Sequence, residues 1–127
     1  MDTGIRVLIA NRPRLFRELV RSTLSGRAGI LVVGEAGDEQ DVPSMVAETK
    51  PDFLVIALDE LHKRPPLCDV LLREYPALRI IAVAPNTNIG IYCWASLKIH
   101  STKMETGEEA LLEVIRRKSE PAKGGVA

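Results

Sequence analysis

A phosphoryl group could be taken up by a carboxylate held beside a cation. One acid that follows a strand-like run is Asp59, at the start of the charged loop Asp59-Glu60-Leu61-His62-Lys63-Arg64, where it serves either as such an acceptor or as a solvated or ion-paired loop acid. Two residues earlier, where an apolar run ends, stands Ala57, whose methyl can accept nothing. If the strand continued to Asp59, its carboxyl would lie about 6.6 Å beyond Ala57 on the same side. Other reactive side chains are scattered. Cys68 and Cys93 have no second cysteine or histidine at metal-ligand spacing, and in a cytosolic chain they remain thiols. His62 sits in the charged loop and His100 stands alone. Gly34-Glu35-Ala36-Gly37 follows a strand-like run but is not GxGxxG and lacks a Walker lysine. No Ser-His-Asp or Cys-His arrangement at a nucleophile elbow is visible. The sequence therefore predicts no metal site, no cofactor and no enzyme.

Alternating strand and helix patterns must position these residues. Arg6-Val7-Leu8-Ile9-Ala10, Ile30 to Glu35, Phe53 to Leu58 and Arg79 to Ala84 are short, apolar, β-branched runs, as buried parallel strands require. Leu15, Phe16, Leu19, Val20 and Leu24 recur at helical spacing before Gly26. Val42, Met45 and Val46 mark a second helix with Pro43 in its first turn. Leu67, Val70, Leu71 and Leu72 mark a third, closing before Pro76. Thr106-Gly107-Glu108-Glu109 reads as a capping box for a last helix with Leu111, Leu112 and Ile115 inward. Between them, residues 86–96 are ambiguous, since Ile89, Ile91, Tyr92, Cys93 and Trp94 suit a strand as well as a helix. Leu97-Lys98-Ile99-His100 is the candidate fifth strand.

Five strands alternating with helices imply an α/β, flavodoxin-like three-layer sandwich. The expected sheet is parallel, of order 2-1-3-4-5, with right-handed crossovers. Its functional edge lies beyond the carboxyl ends of strands 1 and 3, where the winding reverses. Asn11, Arg12, Ala57 and Ala84 are placed there. The domain spans residues 5–117, and 118–127 reads as a tail or linker stub. With 17 basic and 17 acidic residues the net charge is zero, unlike a nucleic-acid binder. No apolar run approaches the roughly 20 residues that span a membrane. The start lacks signal-peptide features, which points to the cytoplasm.

These stretches resemble a response-regulator receiver domain, especially the kind that precedes a helix-turn-helix output domain. Arg6 to Ala10, Leu15-Phe16-Arg17-Glu18-Leu19, Val32 to Asp38, Pro51-Asp52 and the Glu108 to Arg117 helix carry the resemblance. It implies that Asn11 and Arg12 stand where the family keeps two cation-binding acids. It likewise places Ala57 at the phosphoacceptor aspartate, Ala84 at the switch threonine or serine, and Lys103 at the lysine after strand 5. The segment from Ala84 to Lys103 is short for the family, so a short or remodelled fourth helix is expected.

Mg²⁺ needs hard oxygen ligands, whereas Arg12 brings a fixed positive charge. Arg12 either extends into solvent or enters the old cation site and pairs with Asp59 or Asp38, with Lys103 as a neighbour. The leading expectation is a phosphorylation-independent pseudo-receiver of bacterial two-component signalling that binds a protein partner or itself, with no direct nucleic-acid or membrane contact. Tyr92 and Trp94 are candidate interface residues, weighed against a core role. The alternatives are a small-ligand sensor using a crevice lined by Ala57 and Ala84, or a regulator still phosphorylated at Asp59. A further possibility is one part of a transcription regulator whose DNA-binding domain lies outside the chain.

Overall fold

The computed structural model describes residues 4–85, 87–96 and 98–116. The tail expected at 118–127 lies outside the described residues. Six strands form one sheet: β1 (Ile5–Ala10), β2 (Ile30–Glu35), β3 (Phe53–Ala57), β4 (Arg79–Val83), β5 (Gly90–Ala95) and β6 (Ile99–Met104). Their order is β2-β1-β3-β4-β5-β6. The helices are α1 (Arg14–Leu24), α2 (Val42–Thr49), α3 (Pro66–Glu74) and α4 (Glu108–Arg116), with a single 3-10 turn at Glu39–Asp41 before α2.

The flavodoxin-like plan is present through β4, with β1 to β4 pairing in parallel. The five-stranded, all-parallel expectation needs correcting beyond that point. Where a fourth helix would cross over, β5 returns antiparallel to β4, and β6 pairs antiparallel with β5. The reason is compositional. Ile91 and Cys93 enter the core under α2 and α3, while Tyr92 and Trp94 enter the core under α1 and α4. A run apolar on both faces is what an internal strand needs. A short turn replaces the crossover. The Thr87 hydroxyl donates to the Ala84 carbonyl at 3.3 Å and accepts from the Ile89 amide at 3.1 Å. Gly90 starts β5 because a Cβ there would lie 2.6 Å from Thr106 Cγ2 and 3.1 Å from the Ala82 carbonyl oxygen.

The expected capping box differs too. The Thr106 hydroxyl donates to the Thr87 carbonyl at 3.3 Å, tying the start of α4 to the β4–β5 turn. Two cores flank the sheet, one centred on Leu8, Leu54, Ile56, Ile80 and Leu71, the other on Val7, Ile9, Phe53, Ile81 and Ile115.

Candidate functional site

β1 and β3 end side by side, with Ala10 opposite Ile56. Asn11 follows β1 directly and is fully buried. Its Nδ2 donates to the Ile56 carbonyl at 3.0 Å, fastening the end of β1 to the end of β3. A carboxylate could not make that bond, because it only accepts. Ala57, at the end of β3, is 3% exposed, and Ala84, just past β4, is 7% exposed. Both methyls are closed into the protein.

Arg12 occupies the open part of this edge. Its Nη2 donates to both Asp59 carboxylate oxygens, at 3.2 and 3.1 Å, and lies 3.5 Å from Glu39 Oε2. One guanidinium thus bridges the segments that follow β1, β2 and β3. Of the two expected partners, Asp59 is engaged, whereas Asp38 instead accepts from the Gln40 amide at 3.0 Å and starts the 3-10 turn. Glu39 was not foreseen. That turn swings it, rather than Asp38, toward Arg12. Partial loss of hydration lowers the Arg12 pKa, but Asp59, and then Glu39, outweigh it and hold the guanidinium above its ordinary value. The protein therefore supplies its own cation between two carboxylates.

A second charged group flanks the first. Glu35, the last residue of β2, meets Arg21 Nε at 2.8 Å and Arg17 Nε at 3.5 Å. Arg17 also donates through Nη1 to the Asn11 carbonyl at 3.4 Å. The four-residue spacing of Arg17 and Arg21 on α1 was the available signal for this pairing, since it sets both on one helical face.

Lys103 is not brought to this site. β6 runs in the direction of β4, but β5 lies between them. Three strand spacings, roughly 14 Å, separate β6 from β3. Tyr92 and Trp94, the candidate interface residues, are each 6% exposed. Tyr92 stacks on Phe53 with ring centroids 6.2 Å apart, and Trp94 on His100 at 5.2 Å. Their place in the core follows from β5 becoming an internal strand. The cavity beside Asp59, of about 210 Å³, is lined by Asp59, Glu60, Lys63, Arg64, Pro65 and Pro66, and neither Ala57 nor Ala84 lines it. Among the described residues, no group of histidine, cysteine and acidic side chains could hold a metal ion. No described helix is long and apolar enough to cross a membrane.

Cys68 on α3 and Cys93 on β5 are both fully buried in one core. A hydrogen bond between them, and then burial, push the Cys68 thiol up, so it stays protonated at neutral pH. Thiolate is the reactive form. Native protein should therefore react slowly with a thiol-specific chromogenic disulfide and release two equivalents rapidly once unfolded in urea. Fast reaction of a thiol in the native state would contradict the packing.

No protein-family model matches the chain. It is 36% identical over 87 residues to the uncharacterized transcriptional regulatory protein YxjL of Bacillus subtilis, a match covering 68% of this chain. The chain spans 36% of that relative's length. Among solved structures, the isolated receiver domain of RcsB from Salmonella enterica serovar Typhimurium, with a beryllofluoride phosphomimetic, aligns with TM-score 0.57 and 23% identity over 68% of this chain and 65% of that one. A LuxR-family two-component response regulator from Aurantimonas sp. SI85-9A1 aligns with TM-score 0.53 and 25% identity over 61% and 56% of the two chains. The fold is that of the receiver domains of response regulators.

Proposed function

We propose that this chain is a receiver-like regulatory domain of bacterial two-component signalling that acts without phosphorylation, by binding protein. The observation that carries this reading is the Arg12 bridge between Asp59 and Glu39. A permanent side-chain charge occupies the strand-end edge, Ala57 offers no nucleophile, and the cation-binding pair of the family is replaced by Asn11 and Arg12. Asp59, the one acid that could take over, is engaged by Arg12. The similarity to a transcriptional regulatory protein supports a regulatory rather than catalytic role, in the cytoplasm, with any DNA contact left to a different domain. The state that phosphorylation would select in a switching receiver is here set by built-in charges or by a partner.

The test is a titration with Mg²⁺ and beryllofluoride, followed by backbone amide NMR shifts. No saturable shift is expected at residues 11–12, 57–59 or 84. A saturable, Mg²⁺-dependent shift at those residues would sink the proposal, and its loss in Asp59→Asn would identify Asp59 as the acceptor. Arg12→Ala tests the bridge itself. Arg12 and Asp59 are 42% and 71% exposed, so solvent screens the pair. The variant should lose less than about 1 kcal/mol of stability, and the loss should shrink in high salt. Urea unfolding at two salt concentrations measures both. A loss that does not respond to salt would mean that Arg12 acts through packing rather than charge.

A further inference from the structure

The β5–β6 hairpin stands where a crossover helix would lie, and a cleft of about 500 Å³ runs between it and α3. The lining of this cleft gathers three cations from three segments: Arg64 ahead of α3, Arg73 near the end of α3, and Lys98 in the turn between β5 and β6. Asp69 is the acid among them, and it is already engaged. Arg64 Nε meets Asp69 Oδ1 at 2.7 Å and Nη2 meets Oδ2 at 3.4 Å, while Nη1 donates to Ser101 Oγ at 3.4 Å. Arg64 is thereby fixed in place and its charge is answered by Asp69. Arg73 and Lys98 have no ion-pair partner among the described residues, and both are exposed. The cleft therefore holds an excess of two positive charges in a chain whose charges balance overall. Leu72, Pro76, Ala95 and Ile99 give the same cleft an apolar side. Leu72 is buried in the core beneath α2 and α3 and Ile99 packs against it, so that side is firmly backed.

We propose that this cleft binds a nucleoside monophosphate, with the phosphate between Arg73 and Lys98 and the base against Leu72, Pro76 and Ile99. A phosphomonoester carries about −1.5 to −2 charges near pH 7, which matches the two unpaired cations. Arginine offers a planar fork to phosphate oxygens and lysine a compact point charge. Ser96 adds a hydroxyl to the same lining. Free phosphate would satisfy the cations and leave the apolar side in water. A sugar phosphate would set hydroxyls against that side, whereas a base presents a flat face with little hydration. The volume falls within the roughly 300–1,000 Å³ usual for small-ligand pockets. Neither Arg12 nor Asp59 lines this cleft, so it is separate from the strand-end edge and goes beyond the reading given for that edge.

The test is a titration of the full chain with each of the four ribonucleoside monophosphates, followed by backbone amide NMR shifts. At least one should give saturable shifts at residues 64, 72–73, 95–96 and 98–99, with none at 11–12 or 57–59. Ribose 5-phosphate, the matching nucleoside and inorganic phosphate should each bind at least about tenfold more weakly, equivalent to about 1.4 kcal/mol. Arg73→Glu with Lys98→Glu should weaken nucleotide binding by at least about the same factor, with far-UV circular dichroism unchanged. High salt should weaken it in the wild type. The comparison of nucleotide, sugar phosphate and nucleoside keeps the test decisive if the double variant misfolds. The proposal is overturned if no nucleotide gives a saturable shift, or if the shifts fall at the strand-end edge instead. Inorganic phosphate that binds as tightly as the best nucleotide overturns it too, since the cleft would then be a general anion site. So does unchanged affinity in a folded double variant.

Discussion

Trp94→Ala is expected to lower the unfolding free energy by about 3–5 kcal/mol, the usual range when a buried tryptophan is cut back to a methyl. Domains of this size are stable by only about 5–15 kcal/mol, so much of the variant population should be unfolded well below the wild-type melting temperature. The size follows from where β5 runs. Trp94 is 6% exposed, tilted against Tyr92 at 5.4 Å and stacked on His100 from β6 at 5.2 Å. Removing it empties the core beneath α1 and α4 at the junction of the added hairpin. Trp94→Phe keeps an aromatic face toward both neighbours and gives up an indole N–H that has no hydrogen-bond acceptor. It should lose less than about 1.5 kcal/mol, as shape-conserving apolar changes do. Urea unfolding followed by far-UV circular dichroism separates the two variants. A Trp94→Ala loss within about 0.5 kcal/mol, the scale of surface substitutions, would show that the ring is peripheral and return it to an interface role.

How far the sequence revealed the fold depended on which contacts decide each element. β1 to β4 were legible because each is a short apolar run covered on both faces, and α1 to α3 because their apolar spacing is helical. The β5–β6 hairpin was not legible. Ile91-Tyr92-Cys93-Trp94 suits either type of element, and the choice is made by neighbours distant in sequence. Ile91 sits opposite Ala82 on one side and Lys103 on the other, pairings that local propensity does not encode. The displacement of Lys103 follows from that one insertion. At the strand ends the pairing of Arg12 with Asp59 was one of the readings the sequence left open, since both residues follow strands adjacent in the expected order. The sequence suited an Arg12 extended into solvent equally well. Glu39 was not legible, since a single residue of turn geometry decides whether Asp38 or Glu39 faces Arg12.

Asn11 stands just past the end of β1, where the resemblance implies a cation-binding acid. Asn11→Asp is expected to destabilise the domain by about 2–4 kcal/mol at neutral pH, the scale of an unpaired charge or unsatisfied polar group in the interior. Asn11 is fully buried, and its amide donates to the Ile56 carbonyl at 3.0 Å. An aspartate of the same shape would aim an acceptor at an acceptor and strand the carbonyl. The nearest cations do not relieve this, because Arg12 is held by Asp59 and Glu39, and Arg17 by Glu35. Burial and the facing carbonyl both disfavour the ionised form, so the new carboxyl would titrate above its unfolded-state value of about 3.9. A group raised in the folded state stabilises below its unfolded pKa and loses that contribution as pH rises through its folded pKa. The difference from wild type should therefore be small near pH 3, where the neutral acid can donate its own proton to the Ile56 carbonyl, and should widen toward pH 7. Asn11→Ala, which strands the carbonyl without adding charge, should lose about 1–3 kcal/mol with little dependence on pH. Equal losses for Asn11→Asp at both ends of that range would mean that the carboxylate finds a cation after all. The asparagine would then be replaceable by the acid it stands in for, and the case for a site rebuilt around a neutral Asn11 would fall with it.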